Sequence, residues 1–155
     1  MAWIVISGVW NEHSIRTLLG NFTRNETGDI SHLALNSAAT DAMLLHLKGL
    51  TSLERLRLSN NSQITDIGLV HLKGLSKLQE LWLEGTKISD AGLEHLEGLE
   101  SLKKLGISFT QISDAGLVHL QGLSNLEELS FLDTEVTSAG VAELQKALPN
   151  CYISN

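Results

Sequence analysis

Three consecutive stretches of this chain are copies of one another. The clearest copy, LQELWLEGTKISDAGLEHLEGLES, runs from Leu78 to Ser101, and related copies cover residues 53–77 and 102–125. Each copy contains the pattern LxxLxL, then a turn, then a short segment with the apolar spacing of a helix. A period of about two dozen residues is typical of solenoids, in which each repeat contacts only its neighbours. The repeat is therefore the feature that most restricts the fold.

The consensus sequence of the copies, T-x-[IV]-[ST]-D-x-G-L-x-H-L-x-G-L, resembles leucine-rich repeats and is similar to those of bacterial, planctomycete-type proteins. The resemblance covers residues 30–153. It implies an α/β fold, namely a right-handed solenoid with a parallel β-sheet on its concave face and short α-helices on its convex face. It also implies a binding module, without naming a partner.

The sequence divides into five repeats between two end segments. We expect residues 1–29 to form an N-terminal cap, with a short helix at residues 11–20 that is followed by a β-hairpin, and residues 151–155 to form an end strand. The first repeat is degenerate, because it has lost one residue in its turn and carries Met43 where later repeats carry glycine. The predicted repeats are residues 30–52, 53–77, 78–101, 102–125 and 126–150.

Alternation within a repeat predicts which side chains are buried. In LQELWL, Leu81 and Leu83 face the same side of a strand, because strand side chains alternate with a period of two. Leu93, Leu96 and Leu99 face back toward that strand from the helical segment. Since the same leucines recur in every copy, we expect one shared aliphatic core.

A histidine recurs at one helix position in four repeats. Imidazole is a common metal ligand and titrates near neutral pH. However, packed helices lie about 8–10 Å apart, and zinc requires several ligands at about 2 Å. One histidine per helix converges poorly on an ion, so we predict no metal and no cofactor. The weak metal candidates are His46, His71, His95 and His119.

Two sets of hydroxyl residues also recur. A catalytic group is expected once, in a pocket with an orienting partner, whereas a helix cap is expected in every repeat. We therefore interpret the [ST]-D pairs as helix caps and the turn threonines as donors to backbone groups, and we predict that the chain is not an enzyme. The pairs are Thr65-Asp66, Ser89-Asp90 and Ser113-Asp114, and the threonines are Thr86, Thr110 and Thr134.

The side chains that change from copy to copy are the candidates for recognition. Outward positions of the strands, and the positions just after them, vary freely and include exposed Trp and Arg within mixed charge. Such residues are enriched in binding hot spots. We predict that a protein or peptide binds on the concave face. The candidate residues are Arg55, Arg57, Trp82, Glu84, Lys104, Phe109 and Leu132.

Two alternatives remain open. A glycan could stack on Trp82, since aromatic rings suit sugar faces. Alternatively, the repeat array could be structural and self-associate through its N-terminal end, where Trp3, Ile4, Val5 and Trp10 are crowded together.

Charge and composition exclude other classes of partner. The formal net charge is −7, and Lys and Arg form no run longer than Lys103-Lys104, which argues against a nucleic-acid surface. No apolar run approaches the roughly 20 residues of a membrane helix. The apolar stretch WIVISGVW has no basic residues before it, so we do not predict a signal peptide, and we leave a cytoplasmic or exported location open. The single cysteine, Cys151, excludes an internal disulfide framework.

Overall fold

The computed structural model describes residues 20–155. The predicted N-terminal helix and the proposed self-association residues, from Trp3 to Trp10, therefore lie outside the described part of the chain. The strands are β1 (Asn21–Arg24), β2 (Ile30–Ala34), β3 (Arg55–Arg57), β4 (Glu80–Trp82), β5 (Lys104–Gly106), β6 (Glu128–Ser130) and β7 (Tyr152–Ser154). The α-helices are α1 (Asp41–Leu44), α2 (Asp66–Leu69), α3 (Asp90–Leu93), α4 (Asp114–Leu117) and α5 (Ser138–Ala147). A 3-10 turn follows each of the first four helices, at Leu45–Leu47, Val70–Leu72, Glu94–Leu96 and Val118–Leu120.

The strands form one seven-stranded sheet in chain order. The pair β1–β2 is antiparallel, and all the later pairs are parallel. The first pair differs because a connection of a few residues can join only antiparallel strands. In the parallel part the inward leucines of successive repeats are register partners: Leu33, Leu56, Leu81, Leu105 and Leu129.

A second set of backbone contacts joins the repeats just before each helix. Single parallel bridges connect these segments from one repeat to the next, so each repeat is attached to its neighbour at two levels. The bridged pairs are Thr40–Gln63, Thr65–Lys87, Ser89–Gln111 and Ser113–Glu135.

The core lies between the sheet and the helices, and it confirms the predicted aliphatic stack. Leu81, Leu83, Leu93 and Leu96 are fully buried, and Leu99 is almost so. The helical segment is only four residues of α-helix before it tightens into a 3-10 turn. Residues three apart share a face in a 3-10 helix. The tightening therefore suits leucines that are spaced by three.

The aspartate that begins each helix bonds to the next repeat. Oδ1 of Asp66 accepts a hydrogen bond from the Ser89 backbone N–H at 2.7 Å, and Oδ2 accepts one from the Ser89 hydroxyl at 2.6 Å. Thr65, one residue earlier, caps its own helix by accepting from the Ile67 N–H. Ser113 caps its helix in the same way, but the predicted cap at Ser89 is wrong, because its side chain accepts no hydrogen bond from its own helix. The [ST]-D pairs therefore join repeats as well as capping two of the helices. The same aspartate contacts recur in Asp41–Thr65, Asp90–Ser113 and Asp114–Thr137.

A glycine in each following helix leaves room for that carboxylate. A Cβ placed on Gly92 would overlap Oδ1 of Asp66 and approach Cδ1 of Leu69. The same holds at Gly68, Gly116 and Gly140, each beside the aspartate of the preceding repeat. Met43 occupies this position in α1. It is compatible there because no repeat with such an aspartate precedes α1 within residues 20–155.

The turn hydroxyls satisfy backbone groups, as predicted. The Thr86 hydroxyl donates to the Leu83 carbonyl at 2.6 Å, and Thr110 and Thr134 make the equivalent bond. In the second repeat the fully buried Asn61 takes this role. Its amide donates to the Leu58 carbonyl at 2.9 Å.

Candidate binding surface on the open face of the sheet

Outward side chains of the strands form two rows on what we call the open face of the sheet. In each row the residues are register partners on successive strands. The first row consists of Thr23, His32, Arg55, Glu80, Lys104, Glu128 and Tyr152. The second row consists of Asn21, Ala34, Arg57, Trp82, Gly106, Ser130 and Ser154.

The charges of the first row are paired within the row. Arg55 Nε lies 3.2 Å from Oε1 of Glu80, and Lys104 Nζ lies 2.9 Å from Oε2 of Glu128. The hydrogen bond and charge of Glu128 raise the pKa of Lys104. Two predicted binding residues, Arg55 and Lys104, are therefore already engaged with carboxylates on the neighbouring strand.

The second row contains a single charged side chain, Arg57. Its guanidinium is exposed, and no ion pair or side-chain hydrogen bond joins it to another residue between 20 and 155. Its register partners are Ala34 on one side and Trp82 on the other. An unpaired guanidinium therefore occupies the strand position adjacent to that of Trp82, and both residues line one cleft.

Trp82 is half-buried, although its sequence position predicted a solvent-facing ring. The reason is Gly106 on the next strand: a Cβ there would overlap Cε3 of the Trp82 ring and Oε1 of Glu84. Both side chains therefore cover Gly106. Glu84 is held in turn by the Ser59 hydroxyl, which donates to Oε2 at 2.5 Å.

The packing on Gly106 is a feature that the sequence interpretation missed. The available signal was the glycine itself, because a glycine inside a strand often marks the close approach of another group. Its effect is to let the Trp82 ring lie over the β5 backbone at Gly106.

A shallow cleft of about 280 Å³ opens where the hairpin meets the first repeats, and residues of β1 to β4 line it. Its lining includes Thr23, His32, Arg55, Arg57 and Trp82. The His32 Nδ1 atom lies 2.9 Å from the Thr23 hydroxyl, which restricts the imidazole. Small-molecule pockets are usually about 300–1,000 Å³. A cleft of this size suits one or two side chains of a partner better than a whole cofactor.

Two other predicted residues, Phe109 and Leu132, lie beyond the strand ends and belong to neither row. They are 54% and 51% exposed, and the Phe109 N–H donates to the Leu132 carbonyl at 2.7 Å. Phe109 has a φ of 58°, a left-handed conformation that is unusual for a bulky side chain. The predicted site residues thus separate into the paired first row, the Arg57–Trp82–Glu84 group, and this apolar pair.

The recurring histidines do not meet at one point. His119 Nδ1 lies 2.6 Å from Oε1 of Glu97 in the preceding repeat, whereas the buried His95 Nδ1 has no partner in the described region. His46 is exposed. No three His, Cys, Asp or Glu side chains between residues 20 and 155 are grouped as a metal site requires.

Family models match the central part of the chain. Residues 51–98 match a model described as Leucine Rich repeats (2 copies), and residues 98–120 match one described as Leucine Rich repeat. This chain is a leucine-rich-repeat protein. No curated protein matches its sequence significantly.

Solved structures share this leucine-rich-repeat fold. Internalin C2 of Listeria monocytogenes is 27% identical, with a TM-score of 0.67 over 95% of this chain and 66% of that chain. Another internalin of the same organism is 20% identical, with a TM-score of 0.56 over 95% of this chain and 50% of that chain. Actin-binding site 2 of leiomodin-1 is 17% identical, with a TM-score of 0.59 over 77% of this chain and 79% of that chain.

The similarities to the second internalin and to leiomodin-1 concern the fold alone, because their sequence identity to this chain is low. The leucine-rich-repeat protein spans 66% of internalin C2 and 50% of the other internalin. None of the helices in its described region is long and apolar enough to cross a bilayer.

Proposed function

We propose that this leucine-rich-repeat protein is a non-enzymatic module that binds a protein or peptide on the open face of its sheet. The observation that carries the proposal is the uncompensated Arg57 beside Trp82. Arg and Trp are the residue types most enriched in binding hot spots. The sheet and the seated ring are already ordered, so little entropy is lost when a partner docks.

The composition of the open face supports a polypeptide partner over a glycan. Trp82 is half-buried and shares Gly106 with Glu84, which reduces the ring area that a sugar could cover. The cleft that it lines combines two guanidinium groups, two aromatic rings and the Thr23 hydroxyl within about 280 Å³. These groups suit the side chains of a peptide.

Substitution on the two faces of the molecule tests this function. We expect Trp82→Ala and Arg57→Ala each to weaken binding of a captured partner by about 1–2 kcal/mol or more. Val118→Ala is the matched control, because Val118 is 58% exposed but lies on the helical side. Isothermal titration calorimetry with the purified partner measures the difference. A loss of affinity in Val118→Ala alone would place the binding site on the helices.

A further inference from the structure

We infer that the partner presents an acidic side chain next to an apolar one, with the carboxylate on Arg57 and the apolar group against Trp82. This inference rests on the proposed function and specifies the chemistry of the segment that is recognised. It follows from how the charges of the open face are distributed.

In the two rows of the open face, as described for residues 20–155, one cation is available without breaking an existing ion pair. Arg55 and Lys104 face Glu80 and Glu128 at 3.2 and 2.9 Å, whereas Arg57 has no such partner within residues 20–155. A guanidinium binds a carboxylate through two parallel hydrogen bonds, which adds geometric specificity. Arg57 is therefore the position at which an acidic group gains most.

The carboxylate of Glu84 limits where a second acidic group can bind on this face. Its Oε1 lies over Gly106, and its Oε2 accepts a hydrogen bond from the Ser59 hydroxyl at 2.5 Å. Like charges brought together at an interface are unfavourable. An acidic group of the partner is therefore favoured at Arg57 and disfavoured near Glu84.

The spacing of the two subsites suits an extended chain. Neighbouring strands lie about 4.8 Å apart, and a strand rises about 3.3 Å per residue. Arg57 and Trp82 are register partners on adjacent strands. A peptide that crosses the strands can therefore reach both with residues one or two positions apart.

A charge-reversal selection tests the inference on the full chain. A phage-displayed library of random dodecapeptides is selected on the wild-type protein and, separately, on Arg57→Glu. We expect wild-type peptides to carry Asp or Glu within two positions of an aromatic or aliphatic residue. We expect Arg57→Glu to select Lys or Arg instead. Wild-type peptides should bind Arg57→Glu about tenfold more weakly or worse.

Gly106→Ala tests the role of the Trp82 ring without adding or removing a charge. An added Cβ displaces Trp82 and Glu84, so the preference for an apolar residue should weaken and affinity should fall about tenfold. Ser130→Ala, the next position of the second row, is the matched control and should bind as the wild type does. Far-UV circular dichroism and a melting curve verify that both variants are folded.

The outcomes separate failure of the inference from failure of the proposed function. Selected peptides without an acidic residue, or with equal affinity for Arg57→Glu, would refute the acidic partner and leave the binding surface intact. Peptides that bind an Arg57→Glu, Trp82→Ala double variant as tightly as the wild type would refute the surface itself. No enrichment of peptides on either protein would refute both. Single-stranded oligothymidylate is tested as a second probe, and Arg57-dependent binding of it that is tighter than that of any peptide would also refute both.

Discussion

At the residue scale, the recurring unit consists of an aspartate, a hydroxyl and a glycine from adjacent repeats. The Asp66 carboxylate bonds to both the backbone and the side chain of Ser89, and Gly92 leaves the space it occupies. The three residues therefore form one contact, which needs all of them. The sequence pattern S-D-x-G-L thus specifies a contact between repeats as well as the start of a helix.

We predict that Gly92→Ala destabilises the protein even though alanine favours helices. The added methyl overlaps the Asp66 carboxylate, and overpacking of this kind costs about 1–3 kcal/mol. Gly98→Ala is the control, because nothing lies within 4 Å of a Cβ there. That variant should be neutral or slightly stabilised. Urea denaturation measures both, and equal stability of the two variants would contradict the packing argument.

Removing the obstructing carboxylate should reduce the effect of the new methyl. Asp66→Ala is itself destabilising, because it leaves the Ser89 N–H without its acceptor. In the Asp66→Ala background, Gly92→Ala should cost less than it does alone. Contacting residues commonly show coupling energies of about 0.5–3 kcal/mol, and additive effects would indicate that the two residues do not interact.

The pH dependence of stability should reflect Asp114. Hydrogen bonds from the Thr137 hydroxyl and backbone, with a smaller contribution from the Gly140 N–H, lower the pKa of Asp114 from its ordinary 3.8. A lowered folded-state pKa stabilises the fold above the ordinary value, and this stabilisation is lost as the pH falls through the folded value. Asp114→Asn should therefore melt below the wild type at pH 7, with the gap closing under strongly acidic conditions. A gap that is constant with pH in calorimetric scans would exclude a role for the charge.

At the element scale, the turns after the strands contain a column of left-handed residues. Asn60, Phe109 and Asp133 have φ values of 62°, 58° and 55°, and Gly85 has 67°. Glycine, asparagine and aspartate tolerate this region, but a phenylalanine there is strained. Strain that persists at an exposed ring is typical of functional positions.

We predict that Phe109→Asn retains or increases stability, by up to about 1 kcal/mol, because it relieves the left-handed strain. Phe109→Val should be the less stable of the two, since a branched Cβ fits a positive φ poorly. Urea midpoints give the order. If Phe109→Asn were the less stable variant, the ring would contribute packing that outweighs the strain.

The sequence was sufficient to predict the elements, because their pattern is periodic. The spacing of Leu81, Leu83 and Leu93 alone identified the strand, the helical segment and the buried sides of both. The contacts of the candidate site were less accessible. The two rows of outward residues follow from the repeat length. Whether Trp82 projects outward or lies on Gly106 depends instead on side-chain packing between strands. The hairpin of β1 and β2 was predicted as part of the N-terminal cap.

At the scale of the whole molecule, stability depends on one continuous leucine core. Leu81 is fully buried at the centre of the sheet, between register partners Leu56 and Leu105. Each inward leucine therefore packs against the repeats on both sides, and a defect in one repeat weakens its neighbours.

We predict that Leu81→Ala costs about 2–5 kcal/mol, as large-to-small core substitutions do. Leu132→Ala is the matched control. Leu132 is 51% exposed, and its loss should change stability by less than about 0.5 kcal/mol. Thermal denaturation of both variants measures the difference, and a comparable loss at Leu132 would mean that its side chain is buried.

The aspartate bridge also affects how such a protein can lengthen during evolution. Because the donor and acceptor recur every repeat, a duplicated copy of residues 78–101 brings both halves of the contact with it and can be inserted beside the original. A duplicate of the first repeat cannot be used in this way, since Met43 would meet the carboxylate of whichever unit preceded it. Growth by internal duplication is therefore open to the middle repeats and closed to the one at the N-terminal end.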